Sequence, residues 1–448
     1  MLPDVALLEI FGFYVHGAWI SAWHTLVHVC RKWRFVVFGS PRRLNLRLRC
    51  TASTPVRETL DAWPLFPIVI KVHGHEMWGK WGADNIIAAL DRNDCVSRVD
   101  LLYIPSSQLE TLLAAMQRPF PALTRLQLRS SRDKITPVIP ASFLDGAAPL
   151  LETLSLESIP FPGIPKLLLS STHLVSLRLW GIPQSGYISP QAMVSCLSVL
   201  TRLKKLFIGF ESRPEQKSRR PPPQTRTLLP ILTEMQFVGV GEYLEDLVAR
   251  IDTPLLRELY ITFFHRLIFD TPQLTQFIGR TPNFRAHDEA RVFFSNREVS
   301  VRLPQTSDGV LLLGISCRHS DWQLLSLAQV CSLSFPRAFI PAVEHLYIVE
   351  EKFSRLCWQD DIESSQWLEL FQPFIAVKGL YISREFAPHI APALQVLGGR
   401  VTEVLPALQS IFFEEPLPSG PVQEAIGQFV AARQRASHPI AVSRWERE

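Results

Sequence analysis

The chain has 448 residues, of which 47% are hydrophobic and 20% charged, a balance that supports a large buried core and excludes an intrinsically disordered protein. Its 35 prolines exceed the usual share of about 5% and imply many short connections. The 46 basic and 42 acidic residues leave a formal net charge of +4, too even a balance to point to a nucleic-acid partner, which would call for a clustered basic face.

Residues 2–42 predict three short helices. Pro3 suits a helix start, where its missing N–H costs nothing, and Asp4 suits the positive end of the dipole. Val5, Leu8 and Phe11 fall on one helical stripe, with Leu7, Ile10 and Tyr14 beside it. A second run holds Trp23, Leu26, Val27 and Cys30, and a third holds Trp33, Val36 and Val37 before Gly39-Ser40-Pro41 stops it. This is more apolar face than a small bundle can bury, so part is left for a partner or the next domain. No charged residue occurs between Ile10 and Cys30, a length that allows a membrane span. His16, His24, His28, Gly12, Gly17, Ser21 and Thr25 argue against one, and Asp4 and Glu9 replace the basic flank of a signal peptide. No membrane association is expected.

Leu2-Pro3, Ile10-Phe11 and Val29-Cys30-Arg31-Lys32-Trp33, in that order and spacing, resemble the F-box: a Leu-Pro start, an Ile-Phe pair in the first helix and a Val-Cys-x-x-Trp ending. The resemblance covers about a tenth of the chain, residues 1–45. It departs from the pattern at Trp19 and Trp23, where plain aliphatics are usual. It implies a contact with a Skp-family linker protein, carried by Leu2, Pro3, Ile10, Phe11, Val29, Cys30 and Trp33 directly or by holding the helices in place. It also implies membership of a cullin-type ubiquitin ligase.

From residue 65 an L-x-x-L-x-L pattern recurs. It starts at Leu65, Val96, Leu123, Leu151, Leu174, Leu203, Leu232 and Leu256, then at Val310, Val343, Val377 and Leu408. The spacing from Leu123 to Leu256 stays within the range of about 20–29 residues usual for leucine-rich repeats. A degenerate repeat is expected at Phe284 (FRAHDE) to fill the longer interval before Val310. Between strands, 108–117, 192–200 and 242–251 carry helical apolar spacing. Strands alternating with helices imply a parallel sheet, and neighbouring units must stack to share a core. The expected fold is therefore α/β: the small helical module, an irregular leucine-rich-repeat-like solenoid over 46–418, and a capping helix and tail over 419–448. The Asn or Cys that usually follows each strand is absent, with Ser131, Ile159, Ile182, Glu211 and Phe264 in its place, so an uneven arc is expected. The whole is similar to divergent fungal F-box proteins with such repeats.

No constellation of catalytic residues stands out. His73 and His75 share a strand face without a third metal ligand nearby, and His24 and His28 stand one helical turn apart without the following Glu of a metalloprotease. Gly239-Val240-Gly241 reads as a strand-to-helix turn, and Asp360-Asp361 and Glu414-Glu415 are adjacent acids that point apart. The run 213–226 (RPEQKSRRPPPQTR) reads as a solvated loop. Seven cysteines without a C-x-x-C read as reduced thiols of a cytoplasmic or nuclear chain. No enzyme activity, metal or cofactor is expected.

In each repeat the leucines face the core, so the residues between them form the other face of the sheet. They are Arg125, Gln127, Arg129, Arg178, Trp180, Lys205, Phe207, Glu258, Tyr260, His345, Tyr347 and Tyr381. Aromatic residues and Arg are the types that dominate binding hot spots, so this surface is expected to hold a target protein. The sequence thus predicts a substrate-recognition adaptor of a ubiquitin ligase, with a repeat scaffold outside any ligase as the alternative.

Overall fold

The computed structural model describes residues 2–17, 22–53, 56–63, 65–75, 82–131, 137–211, 225–264, 271–295, 298–305, 309–316, 320–350, 363–397, 403–415 and 420–446. Trp19, Glu76, Cys317, Cys357, Asp360, Asp361 and nearly all of 213–226 lie outside them. The chain forms two compact units, one of Met1–Ile188 with Val199–Leu203, the other of Ser189–Ser198 with Lys204–Glu448.

The first unit opens with α1 (Asp4–Gly17), α2 (Trp23–Val29) and α3 (Arg31–Gly39), the three helices expected. The buried stripe of α1 is Leu7 and Phe11, and Val5 is exposed. The repeats follow as β1 (Leu48–Cys50), α4 (Val56–Ala62), β2 (Ile68–His73), α5 (Gly82–Leu90), β3 (Val96–Ile104), α6 (Ser106–Ala115), β4 (Arg125–Ser130), β5 (Thr153–Glu157), α7 (Ile164–Ser170) and β6 (Ser176–Ile182). These six strands pair in chain order, all parallel.

The second unit runs α8 (Pro190–Leu197), β7 (Lys205–Phe210), β8 (Thr227–Leu228), β9 (Glu234–Gly239), α9 (Gly241–Val248), β10 (Ile251–Asp252), β11 (Glu258–Phe264) and α10 (Pro272–Arg280). It continues through β12 (Glu289–Phe294), β13 (Glu298–Pro304), β14 (Val310–Ser316), α11 (Ser320–Leu333), β15 (His345–Glu350), α12 (Ser364–Phe371) and β16 (Gly379–Ile382). It ends with α13 (Ala387–Val396), β17 (Ser410–Phe413), α14 (Pro421–Arg435) and β18 (Ala441–Arg444). Its main sheet has the order β7-β9-β11-β14-β13-β12-β15-β16-β17-β18.

The repeat has a local cause. In most repeats the first apolar residue of L-x-x-L-x-L sits buried in a turn, its N–H bonded three residues back: Leu123 to Phe120, Leu151 to Ala148, Leu174 to Ser171, Leu203 to Leu200 and Leu256 to Thr253. The next N–H reaches the preceding strand, as Thr124 does to Ser97 and Glu152 to Thr124. The turn thus fixes register before the strand begins, and the remaining apolar positions stack in rows. One row of the second unit is Ile208, Phe237, Ile261, Leu313, Val301, Val292, Ile348, Ile382 and Phe413, all buried. Parallel strands, intervening helices and rows of buried aliphatics make each unit a leucine-rich-repeat-like solenoid.

Three features differ from the expectation. Leu65 is exposed and Phe66 takes its place in the core, while Ile70 and Val72 stand opposite Val99 and Leu101, so the strand of the first repeat is phased two residues later. Residues 284–288 form no strand; β12 begins at Glu289, the last residue of FRAHDE, and turns back as β13, an antiparallel insertion between β14 and β12. The aliphatic pattern there is broken because the strand lies five residues further on. Finally, the tail adds β18 parallel to β17.

Stray polar groups are anchored. Glu245 on α9 accepts the N–H groups of Gln273 (2.9 Å) and Leu274 (2.7 Å) and so caps α10. Arg280, at the end of α10, donates to Asp252 and to the carbonyls of Val248 and Ile251. Arg433 is fully buried and donates to the carbonyl of Leu408 at 2.9 Å. Burial pushes the Cys50 thiol up to about 12, which fits core filler rather than a nucleophile.

Candidate functional site

The N-terminal helices present two different faces. Inward, Phe11 is fully buried and its ring lies 4.7 Å from that of Trp33. The Cys30 sulfur accepts the Trp33 N–H and caps α3, and Lys32 donates to the Leu2 carbonyl at 2.8 Å while pairing with Asp4. The two ends of the F-box-like pattern are therefore brought together. Trp23 is also fully buried. It donates to the Arg47 carbonyl and meets Trp63 and Phe66 edge-on, which fastens α2 to the first repeat. His24 packs against Trp23 and Trp63, and burial, with His28 beside it, lowers its pKa.

Outward, Leu2, Val5, Ile10, Phe13, Tyr14, Val29 and Phe35 are exposed, Phe13 by 81% and Phe35 by 76%. Of the residues that the resemblance nominated, Leu2, Pro3, Ile10, Val29 and Cys30 are accessible. Phe11 is buried and Trp33 half-buried, so these two hold the helices rather than offering a surface. Phe13 and Phe35 escaped the motif reading, although both lie on the polar side of a plain helical-period count.

The twelve sheet residues nominated from the repeats all lie on the face away from the apolar rows, half-buried or exposed. In the first unit they form a basic network. Arg98 (2.5 Å) and Arg125 (3.3 Å) both reach Asp100, which is buried between them, and Arg125 also donates to Gln127. Arg129 pairs with Glu157 at 2.9 Å and lies 4.1 Å over the Tyr103 ring, and Arg178 lies over Trp180. His73 and His75 bring their rings within 5.7 Å. The backbones close tightly between them, since a Cβ on Gly74 would meet the Tyr103 carbonyl oxygen at 1.9 Å. Among the described residues no group of three or more His, Cys, Asp or Glu could hold a metal ion.

In the second unit the register gathers one continuous row: Phe207, Gln236, Tyr260, Leu312, Arg302, Arg291, Tyr347, Tyr381 and Phe412. Tyr347, Tyr381 and Phe412 stack nearly parallel, with centroids 4.1 and 4.5 Å apart. Trp445 stands edge-on to both tyrosines, and the Arg291 guanidinium, paired with Glu289, lies 5.1 Å over Tyr347. Burial, with Tyr381 and Glu289 beside it, pushes the Tyr347 hydroxyl up to about 12. This wall bounds a cavity of about 680 Å³ whose other sides include Glu298, Arg302 and Glu446. Elsewhere on the face Lys205 pairs with Glu234 at 2.5 Å, and Tyr260 donates to Glu258. His345 lies 6.0 Å from the Tyr381 ring. The sequence placed Tyr347 and Tyr381 correctly on this face. It missed Arg291 and Arg302 because they belong to the inserted hairpin, and Phe412 and Trp445 because they follow the last clear repeat.

No family model matches the chain and no curated protein matches it. Among solved structures, the leucine-rich repeat-containing protein LegL7 from Legionella pneumophila matches at a TM-score of 0.28 and 12% identity, over 86% of this chain and 97% of that one, a likeness too distant to bear on what this chain binds. Among the described residues, no helix is long and apolar enough to cross a membrane.

Proposed function

We propose that the chain is a protein-binding repeat scaffold that serves as the substrate-recognition subunit of a cullin-type ubiquitin ligase. The N-terminal helices dock on a Skp-family linker, and the sheet faces hold a target protein. One observation carries this reading: the F-box-like helices are locked from inside by Phe11 and Trp33 while Leu2, Ile10, Phe13, Val29 and Phe35 remain exposed. An apolar surface of that kind on a closed small module marks an interaction site. The chain's task is proximity, raising the local concentration of target beside the transfer machinery, and ubiquitin transfer belongs to other subunits. No cofactor, nucleic acid or membrane enters the reading.

The second reading, a scaffold outside any ligase whose first helices only cap the repeats, is favoured by the burial of Trp23 against Trp63 and Phe66. Co-purification of the full chain with a Skp-family linker discriminates them. A stoichiometric complex that Ile10→Ala or Phe13→Ala weakens supports the ligase subunit. Well-folded protein that forms no complex leaves only the capped scaffold.

A further inference from the structure

We infer that the sheet face of the second unit receives a basic segment of the target, with an arginine side chain entering the cavity walled by Tyr347, Tyr381 and Trp445. The inference rests on the scaffold reading and names the chemistry of its partner.

The charge of the site sets the sign. The cavity carries Glu289, Glu298 and Glu446. A second cavity of about 450 Å³ adjoins it, sharing Glu446 and adding Glu350, Glu385, Glu414 and Glu415. Among the described residues, four guanidiniums oppose these seven carboxylates: Arg291, Arg302, Arg384 and Arg444. Two of the four are already matched, Arg291 with Glu289 and Arg384 with Glu415. The formal charge of these described lining residues is negative, and a focused negative potential in a concave site attracts cations and repels phosphate or carboxylate.

The wall sets the shape. Arg291 shows what this surface holds, a guanidinium laid over Tyr347 and clasped by a carboxylate. An incoming arginine would find the same chemistry one step further on, with Phe293, Leu312 and Val349 as apolar contacts for its methylene stem and Glu446 for its head. The sheet face of the first unit has the opposite bias, with Arg98, Arg125, Arg129 and Arg178 set against Asp100 and Glu157. Each unit therefore selects by charge, and the basic segment belongs on the second.

The test is fluorescence anisotropy of the full chain with three labelled peptides of about twelve Gly and Ser residues, carrying three arginines, three glutamates or three phosphoserines. The arginine peptide should bind. Its affinity should fall about 10-fold between roughly 50 and 300 mM salt, and about 5-fold or more in the exposed double variant Glu385→Gln/Glu446→Gln. Glu110→Gln, an exposed acid on α6 of the first unit, should leave that binding unchanged. Tighter binding of the glutamate or phosphoserine peptide that persists in Arg125→Ala, or arginine-peptide binding indifferent to the double variant, overturns the inference. Glutamate-peptide binding lost in Arg125→Ala would instead support the opposite charge bias of the first unit's face. If none of the three peptides binds, the inference falls with the scaffold reading of the sheet faces, whereas linker binding is read separately by co-purification.

Discussion

Ile10 and Phe11 are neighbours in α1 with opposite environments, and alanine at each should separate two jobs. Phe11 is fully buried against Trp33, and removing a buried Phe side chain costs about 3–5 kcal/mol. If α1 opens locally, about 3 kcal/mol speeds amide exchange along the helix by roughly 100-fold. Ile10 is half exposed, so its loss should change stability by less than about 0.5 kcal/mol. It should instead weaken linker binding by about 10-fold, as for a moderate interface contact. Hydrogen exchange of α1 read beside calorimetric titration with a Skp-family linker measures both. Unchanged α1 protection in Phe11→Ala, or strong loss of protection in Ile10→Ala, would refute the assignment of inward and outward faces.

Glu245→Ala removes the carboxylate that caps α10 and should lower stability by about 1–2 kcal/mol, seen as a shift of the urea midpoint. Arg280→Ala strands the carbonyls of Val248 and Ile251 and leaves Asp252 without its partner, and should cost about 2–3 kcal/mol on the same assay; Arg280→Lys should recover only part of it, because one ammonium cannot replace the fork. Gly379→Ala places a Cβ 2.9 Å from His345 Nδ1 and 3.1 Å from the Tyr381 ring, so it should cost about 1–3 kcal/mol and diminish the near-ultraviolet dichroism of the stacked tyrosines; an unchanged spectrum would show that the stack tolerates it. The lowered pKa of His24 means that the folded chain takes up that proton less readily than the unfolded chain. Its contribution is complete above the ordinary histidine value of about 6.5 and is lost as pH falls below it. The tryptophan-fluorescence melting temperature should therefore drop between about pH 7 and 5.5, less so in His24→Phe, and equal slopes in the two proteins would remove His24 as the cause.

The repeat array was legible because one physical cause writes it: apart from the first repeat, whose Leu65 is exposed, each turn-and-strand buries its first, fourth and sixth residues, and the twelve L-x-x-L-x-L segments all lead into strands. The hairpin β12–β13 was not, although EVSVRL (298–303) alternates cleanly. The L-x-x-L-x-L pattern is not met there, because Asn296 stands three residues before Val299 where an apolar residue would be required. The same blind spot hid Arg291 and Arg302 from the candidate site. At the N-terminus, composition found the apolar excess but not its direction, since whether Ile10 or Phe11 turns inward depends on where α3 places Trp33.

The antiparallel insertion also governs how this sheet can assemble. In a simple solenoid each new strand zips onto the one just made, so growth can start anywhere and units can be duplicated or excised cleanly. Here β12 leaves one edge of β11 unpaired, β13 and β14 fold back to fill that edge, and β15 must then find β12 across the helix α11. Two loop closures of some fifty residues have to be satisfied together, each with an entropy cost that local pairing does not share. The stretch from β11 to β15 is therefore a single inheritable block: repeats on either side can be gained or lost one at a time, but this one is kept whole or not at all.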